Sequence, residues 1–326
     1  MDFTLEFERP VSELEKQIRD LKQASNANID ISHEIAGLQA KVDQMLEDIF
    51  KNLSPWERTQ LSRHPARPHA IDYIEKIVTD FHELHGDRRF SDDPSMITGF
   101  GFIDGQRVAV LGIEKGRKTQ EKIKRNFGMA NPEGYRKALR IMHLASQFGI
   151  PVISFVDTPG AYPGIGAEER GQALAIAENL EEMFNIKAPI IAVVIGEGGS
   201  GGALGIAIAD RVFMMEYSVY SVISPESCAS ILWSDPKMAE TAANSLQLSP
   251  NKALELKVID AIIKEPAGGA HRYPDKAIAK VKETIMSHLN VLKAQDLDVV
   301  MQNRFEKFRQ MGNSTLILDQ SEDTKE

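Results

Sequence analysis

The stretch at residues 189–209, PIIAVVIGEGGSGGALGIAIA, constrains the fold more than any other part of the chain. After a proline, the apolar run 190–195 is typical of a strand that is buried on both faces. Five glycines follow between positions 196 and 202, and the small and apolar residues at 203–209 predict a buried helix. A strand, a glycine turn and a helix in this order direct unpaired backbone N–H groups towards a negatively charged ligand.

Three kinds of site share this pattern. Residues 196–201 fit G-x-G-x-x-G, the dinucleotide fingerprint, and Glu216 lies 20 positions after Gly196, where a ribose-binding acid is expected. Residues 198–202 fit G-x-S-x-G, the nucleophile elbow of serine hydrolases, with Ser200 as the nucleophile. The third kind is an oxyanion hole made only of backbone amides. The glycines by themselves leave all three open.

Composition limits the class of protein. The chain has 326 residues and a net charge of −9, which disfavours a general nucleic-acid or anionic-membrane surface. Its one cysteine, Cys228, excludes a disulfide framework and a multi-cysteine zinc site. We see neither a secretory signal nor an apolar run of roughly 20 residues. We therefore expect a cytoplasmic protein with no metal of its own.

Three regions follow from the patterning. Apolar residues at helical spacing over 10–24 and 31–50 predict an N-terminal helical hairpin, and Ser54-Pro55 marks a further helix start. We assign residues 1–70 to this helical segment, 71–312 to the main domain, and the polar, acidic residues 313–326 to a frayed tail.

The main domain alternates strands and helices, which predicts an α/β fold. We expect a helix at 71–85 and a hairpin of strands 96–103 and 107–113 across Asp104-Gly105. The remaining predicted strands are 151–157, 190–195, 212–215, 220–223 and 258–263. The remaining predicted helices are 132–148, 167–184, 229–232, 239–246, 251–257, 276–292 and 296–308.

A second glycine turn has the same design as the first. The predicted strand 151–157 ends at Asp157, the sequence TPGAYPGIG follows, and a helix begins near Ala167. Because both loops follow buried strands, they could line one cleft. The alternative is a pair of ordinary connections that need glycine for tight turns.

Between residues 115 and 140 lies a basic cluster in an otherwise acidic chain, and we read 116–125 within it as a mobile loop. Such a cluster suits phosphate capture or docking of an acidic partner, although a solvated charged face is commoner. Its members are Lys115, Arg117, Lys118, Lys122, Lys124, Arg125, Arg136, Lys137 and Arg140.

The histidines give little support to metal or hydrolase chemistry. His64 and His69 have no carboxylate or cysteine at ligand spacing, so we place them at the surface or an interface. A serine hydrolase would have to use His271, whose acidic partner the sequence does not identify. A dehydrogenase fingerprint should open its own domain, whereas this one follows almost 200 residues of chain.

Several long motifs occur in one order along the chain. They are RNFGMANPEGYRKALR at 125–140, DTPGAYPG at 157–164, AEERGQ at 167–172, GEGGSGGALG at 196–205, YSVISPE at 220–226 and EPAGGAH at 265–271. Together with the N-terminal helices and the sequence RFEKFR at 304–309, they closely resemble the carboxyltransferase α subunits of bacterial and plastid acetyl-CoA carboxylase.

The resemblance implies a crotonase-like fold of repeated ββα units, with the helical hairpin in front and helices at the C-terminal end. It implies transfer of a carboxyl group from carboxybiotin, held by the biotin carboxyl carrier protein, to acetyl-CoA. The product is malonyl-CoA for fatty-acid synthesis, and a separate biotin carboxylase uses the ATP. It also implies an α2β2 assembly in which the β subunit carries the zinc and activity needs both chains. The expected compartment is the cytoplasm, or the plastid stroma in a plastid-bearing source.

This reaction needs two oxyanions to be stabilised, and backbone amides can do that without a titrating side chain. We expect the amides of Gly199, Gly201 and Gly202 to form the oxyanion hole. For the carboxybiotin side we expect Gly160, Ala161, Tyr162, Gly164, Ser200 and Ala203. We expect Arg125 and Arg136 to contact phosphate or the carrier protein.

Two points stay open in the sequence. The chain has Ser227 where the family resemblance leads us to expect glycine, and a serine there would be strained if φ had to be positive. The chain could also be a non-catalytic scaffold for its partner, or a G-x-S-x-G serine hydrolase of crotonase-like fold.

Overall fold

The computed structural model describes residues 3–24 and 32–312, and these residues build one mixed sheet of eight strands. The spatial order is β1-β2-β3-β4-β5-β6-β8, and β7 pairs with the far end of β5. The strands are β1 (Thr79–Glu83), β2 (Met96–Ile103), β3 (Gln106–Ile113), β4 (Val152–Thr158), β5 (Ile190–Gly199), β6 (Arg211–Met215), β7 (Val219–Ser221) and β8 (Ala261–Ile263).

Only the first two pairings are antiparallel, and every pairing from β3 onwards is parallel. The β2–β3 hairpin closes across Asp104 and Gly105, which both have positive φ, as a type I′ turn requires. The predicted hairpin is therefore confirmed. In the parallel part, β3, β4 and β5 all end at the same edge of the sheet.

The sheet lies between two helical layers, and β5 contributes to both cores. Ile190, Ala192 and Val194 belong to one apolar cluster, whereas Ile191, Val193 and Ile195 belong to the other. This alternation explains why the strand is apolar throughout. On the first face lie α6 (Pro132–Gln147) and α8 (Gln172–Asn185), and on the second lie α4 (Ala70–Ile77) and α13 (Pro274–Lys293).

The N-terminal helices have an apolar cluster of their own, which Tyr217 of the main body joins. Ser54 caps the next helix through a capping box with Glu57, and Pro55 is its first residue, as predicted. The remaining helices are α1 (Arg9–Ala24), α2 (Ser32–Lys51), α3 (Pro55–Ser62), α5 (Thr119–Lys124), α7 (Ile165–Glu169), α9 (Ser200–Leu204), α10 (Pro225–Trp233), α11 (Ala239–Leu246), α12 (Pro250–Glu255) and α14 (Leu297–Gln310).

Three local predictions are wrong. The helix at 71–85 ends at Ile77, because residues 79–83 pair with β2 as an edge strand. The segment read as a mobile loop at 116–125 contains α5, whose Glu121 accepts from the backbone of Arg117 and Lys118. The helix expected at 203–209 is instead the short α9, which begins at Ser200, because β7 extends the pairing of β5 to Gly199.

The frayed tail predicted for 313–326 lies outside the described residues. Among the helices that the structure describes, none combines the length and apolar character that a membrane crossing demands.

Candidate active site

The two glycine loops touch each other at the edge of the sheet where β4 and β5 end. In chain order, the first loop is residues 159–164, after β4, and the second loop is residues 198–202, at the end of β5. A Cβ placed on Gly202 would lie 2.5 Å from the amide nitrogen of Ala161, and one on Gly199 would lie 2.2 Å from the carbonyl oxygen of Pro159. Any side chain at these two positions would collide with backbone. The glycines are therefore required for close approach of the loops, as in other sites where backbone meets backbone or ligand.

A cavity of about 390 Å³ opens where the loops meet. Its walls come from the first loop, the second loop, the start of α8 and the segment that leads into α10. Glu168 is the one lining residue with a carboxylate, and none of the lining residues is a lysine, arginine, histidine or cysteine. The lining residues are Pro159, Gly160, Ala161, Tyr162, Pro163, Glu168, Gln172, Ala173, Ile176, Ser200, Gly201, Gly202, Val222, Ile223, Ser224 and Ser227.

The second loop offers backbone donors to this cavity. The N–H groups of Gly201 and Gly202 lie in the first turn of the short helix α9, so they have no partner within that helix. Ser200 has φ +51°, a conformation that costs a non-glycine residue energy and that clusters at functional sites. The cavity therefore borders first-turn helix amides and has no cationic side chain in its wall, which suits an oxygen that gains negative charge during a reaction.

Most of the expected site residues lie together in this cavity, but not all. Six line it: Gly160, Ala161, Tyr162, Ser200, Gly201 and Gly202. Three lie behind the wall. Gly199 packs on Pro159, Gly164 packs under the ring of Tyr162, and Ala203 is buried in the core beneath the loop.

The two arginines expected to contact phosphate or carrier do not line this cavity. The guanidinium of Arg125 donates to the carbonyl oxygen of Pro94 at 2.7 Å. Arg136 lines a separate cavity of about 450 Å³ together with Arg88 and Arg140. Their expected contacts remain a prediction.

Sequence reasoning missed a network of charges directly behind the loops, built around the buried Asp157 and Glu197. Lys115 Nζ lies 2.7 Å from Asp157 Oδ1 and 2.7 Å from Glu197 Oε2. Arg63 lies 2.5 Å from Glu197 Oε1 and 2.5 Å from Glu226 Oε1. We call these five residues the charge network. The signal for it was present, because Asp157 and Glu197 are acidic residues at the ends of two apolar strands.

Within the network, Glu197 and Lys115 each stabilise the charged form of the other. Burial would raise the pKa of Glu197, but Lys115 and Arg63 more than offset this and hold that pKa below its usual value. Burial would lower the pKa of Lys115, but Asp157 and Glu197 more than offset this and raise it. Lys115 is thus an internal ion-pair partner and not part of a solvated basic loop.

Of the two placements expected for His64 and His69, the surface or an interface, the surface is wrong. Both are buried, and His69 Nδ1 lies 2.9 Å from Glu114 Oε1. His64 and His271 come together with Glu8 from three distant segments, so no spacing rule could find this cluster. His64 Nδ1 accepts from the Ala66 N–H at 3.1 Å, which leaves the proton on Nε2 and neither nitrogen free to bind a metal.

The structure does not support a serine hydrolase, because His271, the expected general base, does not reach Ser200. His271 Nε2 lies 2.9 Å from Glu8 and lines a different cavity from Ser200. The concern about Ser227 also disappears, because this residue lies in α10 without positive φ and its N–H donates to Ser224 at 3.1 Å. A serine fits this first helical turn without strain.

The comparisons with known proteins agree on one class. A family model described as acetyl co-enzyme A carboxylase carboxyltransferase-like matches residues 4–312. The chain is 54% identical to the acetyl-coenzyme A carboxylase carboxyl transferase subunit alpha of Geobacter metallireducens, over 95% of this chain and 98% of that one. It is 50% identical to the subunit of the same name from Thermus thermophilus, over 94% and 98%.

Solved structures share the fold at lower identity. Transcarboxylase 12S, solved with methylmalonyl-coenzyme A bound, superposes with a TM-score of 0.58 at 19% identity, over 71% of this chain and 43% of that one. A Pseudomonas malonate decarboxylase hetero-tetramer in complex with coenzyme A gives 0.54 at 15% identity, over 67% and 86%.

The fold is the crotonase-like fold of these solved structures, and the family match makes the chain a carboxyltransferase. The predicted fold class is confirmed. Within this class, the chain belongs to the family of carboxyltransferase α subunits of acetyl-CoA carboxylase, which are transferases.

Proposed function

We propose that this chain binds the biotin side of a carboxyl transfer from carboxybiotin to acetyl-CoA, which yields malonyl-CoA for fatty-acid synthesis. The observation that carries the proposal is that the first-turn amides of α9, at Gly201 and Gly202, border a cavity that no cationic side chain lines. Carboxybiotin is supplied by the biotin carboxyl carrier protein after a separate biotin carboxylase has charged it.

The chemistry explains why the cavity lacks a reactive side chain. When carboxybiotin releases CO2, negative charge develops on its ureido oxygen, and that anion can take the methyl proton of acetyl-CoA. The amides of this chain have to hold the oxygen only when it is charged. One such donor is typically worth about 3 kcal/mol in the transition state. Gly160 and Ala161 close the pocket from the other loop, against which Gly202 packs.

The acyl-CoA side and the zinc belong, in this proposal, to a β subunit of similar fold in an α2β2 assembly. Large apolar side chains next to the cavity support a partner surface. Val222, which lines the cavity, is 75% exposed, and Ile231 and Leu232 at the end of α10 are 71% and 64% exposed. Exposed apolar residues grouped in this way mark a protein interface.

The decisive variant is Gly201→Val, assayed as the purified α/β complex with free carboxybiotin and acetyl-CoA. A Cβ at Gly201 meets nothing closer than Ile176 at 3.7 Å, so the fold accepts it while the isopropyl group enters the cavity. We expect malonyl-CoA formation to fall by about a hundredfold or more. The control is Gly37→Val on α2, where a Cβ also meets nothing.

Unchanged turnover in Gly201→Val would remove the loop from the mechanism. If the β subunit alone reached the rate of the complex, this chain would be a scaffold and the proposal would fail.

A further inference from the structure

The charge network joins three separate parts of the cavity wall. Asp157 lies three residues before Gly160 in the first loop, and Glu197 lies four residues before Gly201 in the second. Asp157 Oδ1 accepts the backbone N–H of Glu197 at 2.9 Å, so the two strand ends are tied directly. Lys115, which follows β3, neutralises both carboxylates.

The packing at Gly196 shows how closely this tie is built into the loops. A Cβ at Gly196 would lie 2.4 Å from Asp157 Oδ1, so glycine makes room for the carboxylate under the second loop. A displaced carboxylate would therefore move the backbone that leads to Gly201.

Arg63 extends the network to the third part of the wall. It lies just after α3 and bridges Glu197, under the second loop, to Glu226 in the first turn of α10. Ser224 and Ser227, on either side of Glu226, line the cavity opposite the glycines. Arg63 is thus the one described residue whose side chain binds both the glycine loop and the start of α10.

We propose that Arg63 is a positioning residue for carboxyl transfer: by bridging Glu197 and Glu226 it fixes the α10 wall against the glycines of the second loop. This inference rests on the proposed function of that loop. A bidentate guanidinium suits the task because it holds two carboxylates in a fixed geometry, which a lysine point charge cannot do. The residue touches no reacting atom, so its effect comes through the geometry of the cavity.

The test uses Arg63→Gln, Arg63→Lys, Glu226→Gln and the double variant Arg63→Gln/Glu226→Gln, each as the purified α/β complex. A misplaced wall lowers the rate of the chemical step by about tenfold to a hundredfold. We therefore expect kcat to fall by that factor in Arg63→Gln and less in Arg63→Lys. The KM for acetyl-CoA should stay within about twofold, because the wall does not contribute to uniform substrate binding.

The double variant examines the bridge itself. If Arg63 and Glu226 act through one contact, the double variant should be no slower than the slower single variant. If the fold-losses in kcat of the two single variants multiply in the double variant, the two residues act separately. That result would overturn the proposed bridge.

Arg272→Gln is the matched control for lost stability. Arg272 also bridges two carboxylates, at 3.0 Å from Glu8 and 2.7 Å from Glu15, but it does not line the glycine-loop cavity. We expect a comparable drop in melting temperature with kcat unchanged. Equal kcat in Arg63→Gln and Arg272→Gln would overturn the inference.

Gly201→Val separates this inference from the proposed function. If Gly201→Val loses activity while Arg63→Gln does not, the loop works without the bridge and only the inference fails. If neither variant loses activity, the proposed function fails as well.

Discussion

At the scale of single residues, the site depends on glycines, which have no side chain. Gly199 and Gly202 allow backbone to contact backbone, whereas Gly201 leaves an open approach to the cavity. The sequence treats these glycines as equivalent members of one motif, and only the structure separates those that pack the loops from the one that borders open space. Ser200 differs again, because it is exposed and holds a positive φ.

Ser200→Ala separates an amide hole from a nucleophile. The variant keeps the backbone N–H and removes only the hydroxyl, so we expect carboxyl transfer by the α/β complex to stay within about threefold of the parent. Loss of all activity, by contrast, would restore the serine as a reacting group. Steady-state kinetics with free carboxybiotin measure the difference.

Gly202→Ala probes contact between the loops. The added methyl group would lie 2.5 Å from the Ala161 nitrogen, so the loops must separate. We expect a loss of about 1–3 kcal/mol in the free energy of unfolding, as for other overpacked sites, together with lost activity. Urea unfolding of the purified chain measures the first effect, and a variant of unchanged stability would contradict the packing.

At the scale of elements, the N-terminal helices are fastened to the body by a buried polar cluster. Glu8, just before α1, accepts from His271 and from Arg272, and the ring of His64 lies beside that of His271 with centroids 4.2 Å apart. Burial, with the neighbouring His271 as a lesser cause, lowers the pKa of His64 to about 4. This histidine is therefore neutral in the folded chain down to mildly acidic pH.

The stability of the chain should depend on pH through His64. Below pH 6.5, the pKa of His64 in the unfolded chain, the unfolded state binds a proton that the folded state does not bind. The free energy of unfolding therefore falls as pH falls from 6.5 to about 4. Glu8 adds a further loss of stability as pH falls below its unfolded pKa of 4.5 towards its lower folded pKa. Urea midpoints at pH 4.5 to 7 should show a shallower slope for His64→Asn, whose oxygen can replace Nδ1 towards Ala66. Parallel slopes would exclude the histidine.

At the scale of the whole molecule, the parallel sheet brings both glycine loops, Asp157, Glu197 and Lys115 to one edge. Helix α10, which contributes Ser227 to the same cavity, carries exposed apolar side chains at Ile231 and Leu232. In the proposed function, these side chains are covered by another chain.

Ile231→Glu should weaken assembly with the β subunit. Ile231 is 71% exposed, so the isolated chain should keep its melting temperature, while a buried charge at the interface should cost tenfold or more in affinity, by about 1.4 kcal/mol per tenfold step. Val291→Glu on α13, 53% exposed, is the control. Analytical ultracentrifugation of α/β mixtures gives both affinities, and equal values would place the interface elsewhere.

The sequence by itself determined the strand–glycine–helix order at β4 and β5, the β2–β3 hairpin and the capped start of α3, because these depend on local periodicity, glycine and capping residues. Its long motifs also identified the family. Tertiary structure alone decided which glycines touch, that Lys115 is buried between two carboxylates, and that Glu8, His64 and His271 meet. Local patterns carry no information on contacts between residues up to 264 positions apart, since those are set by how the strands and helices pack.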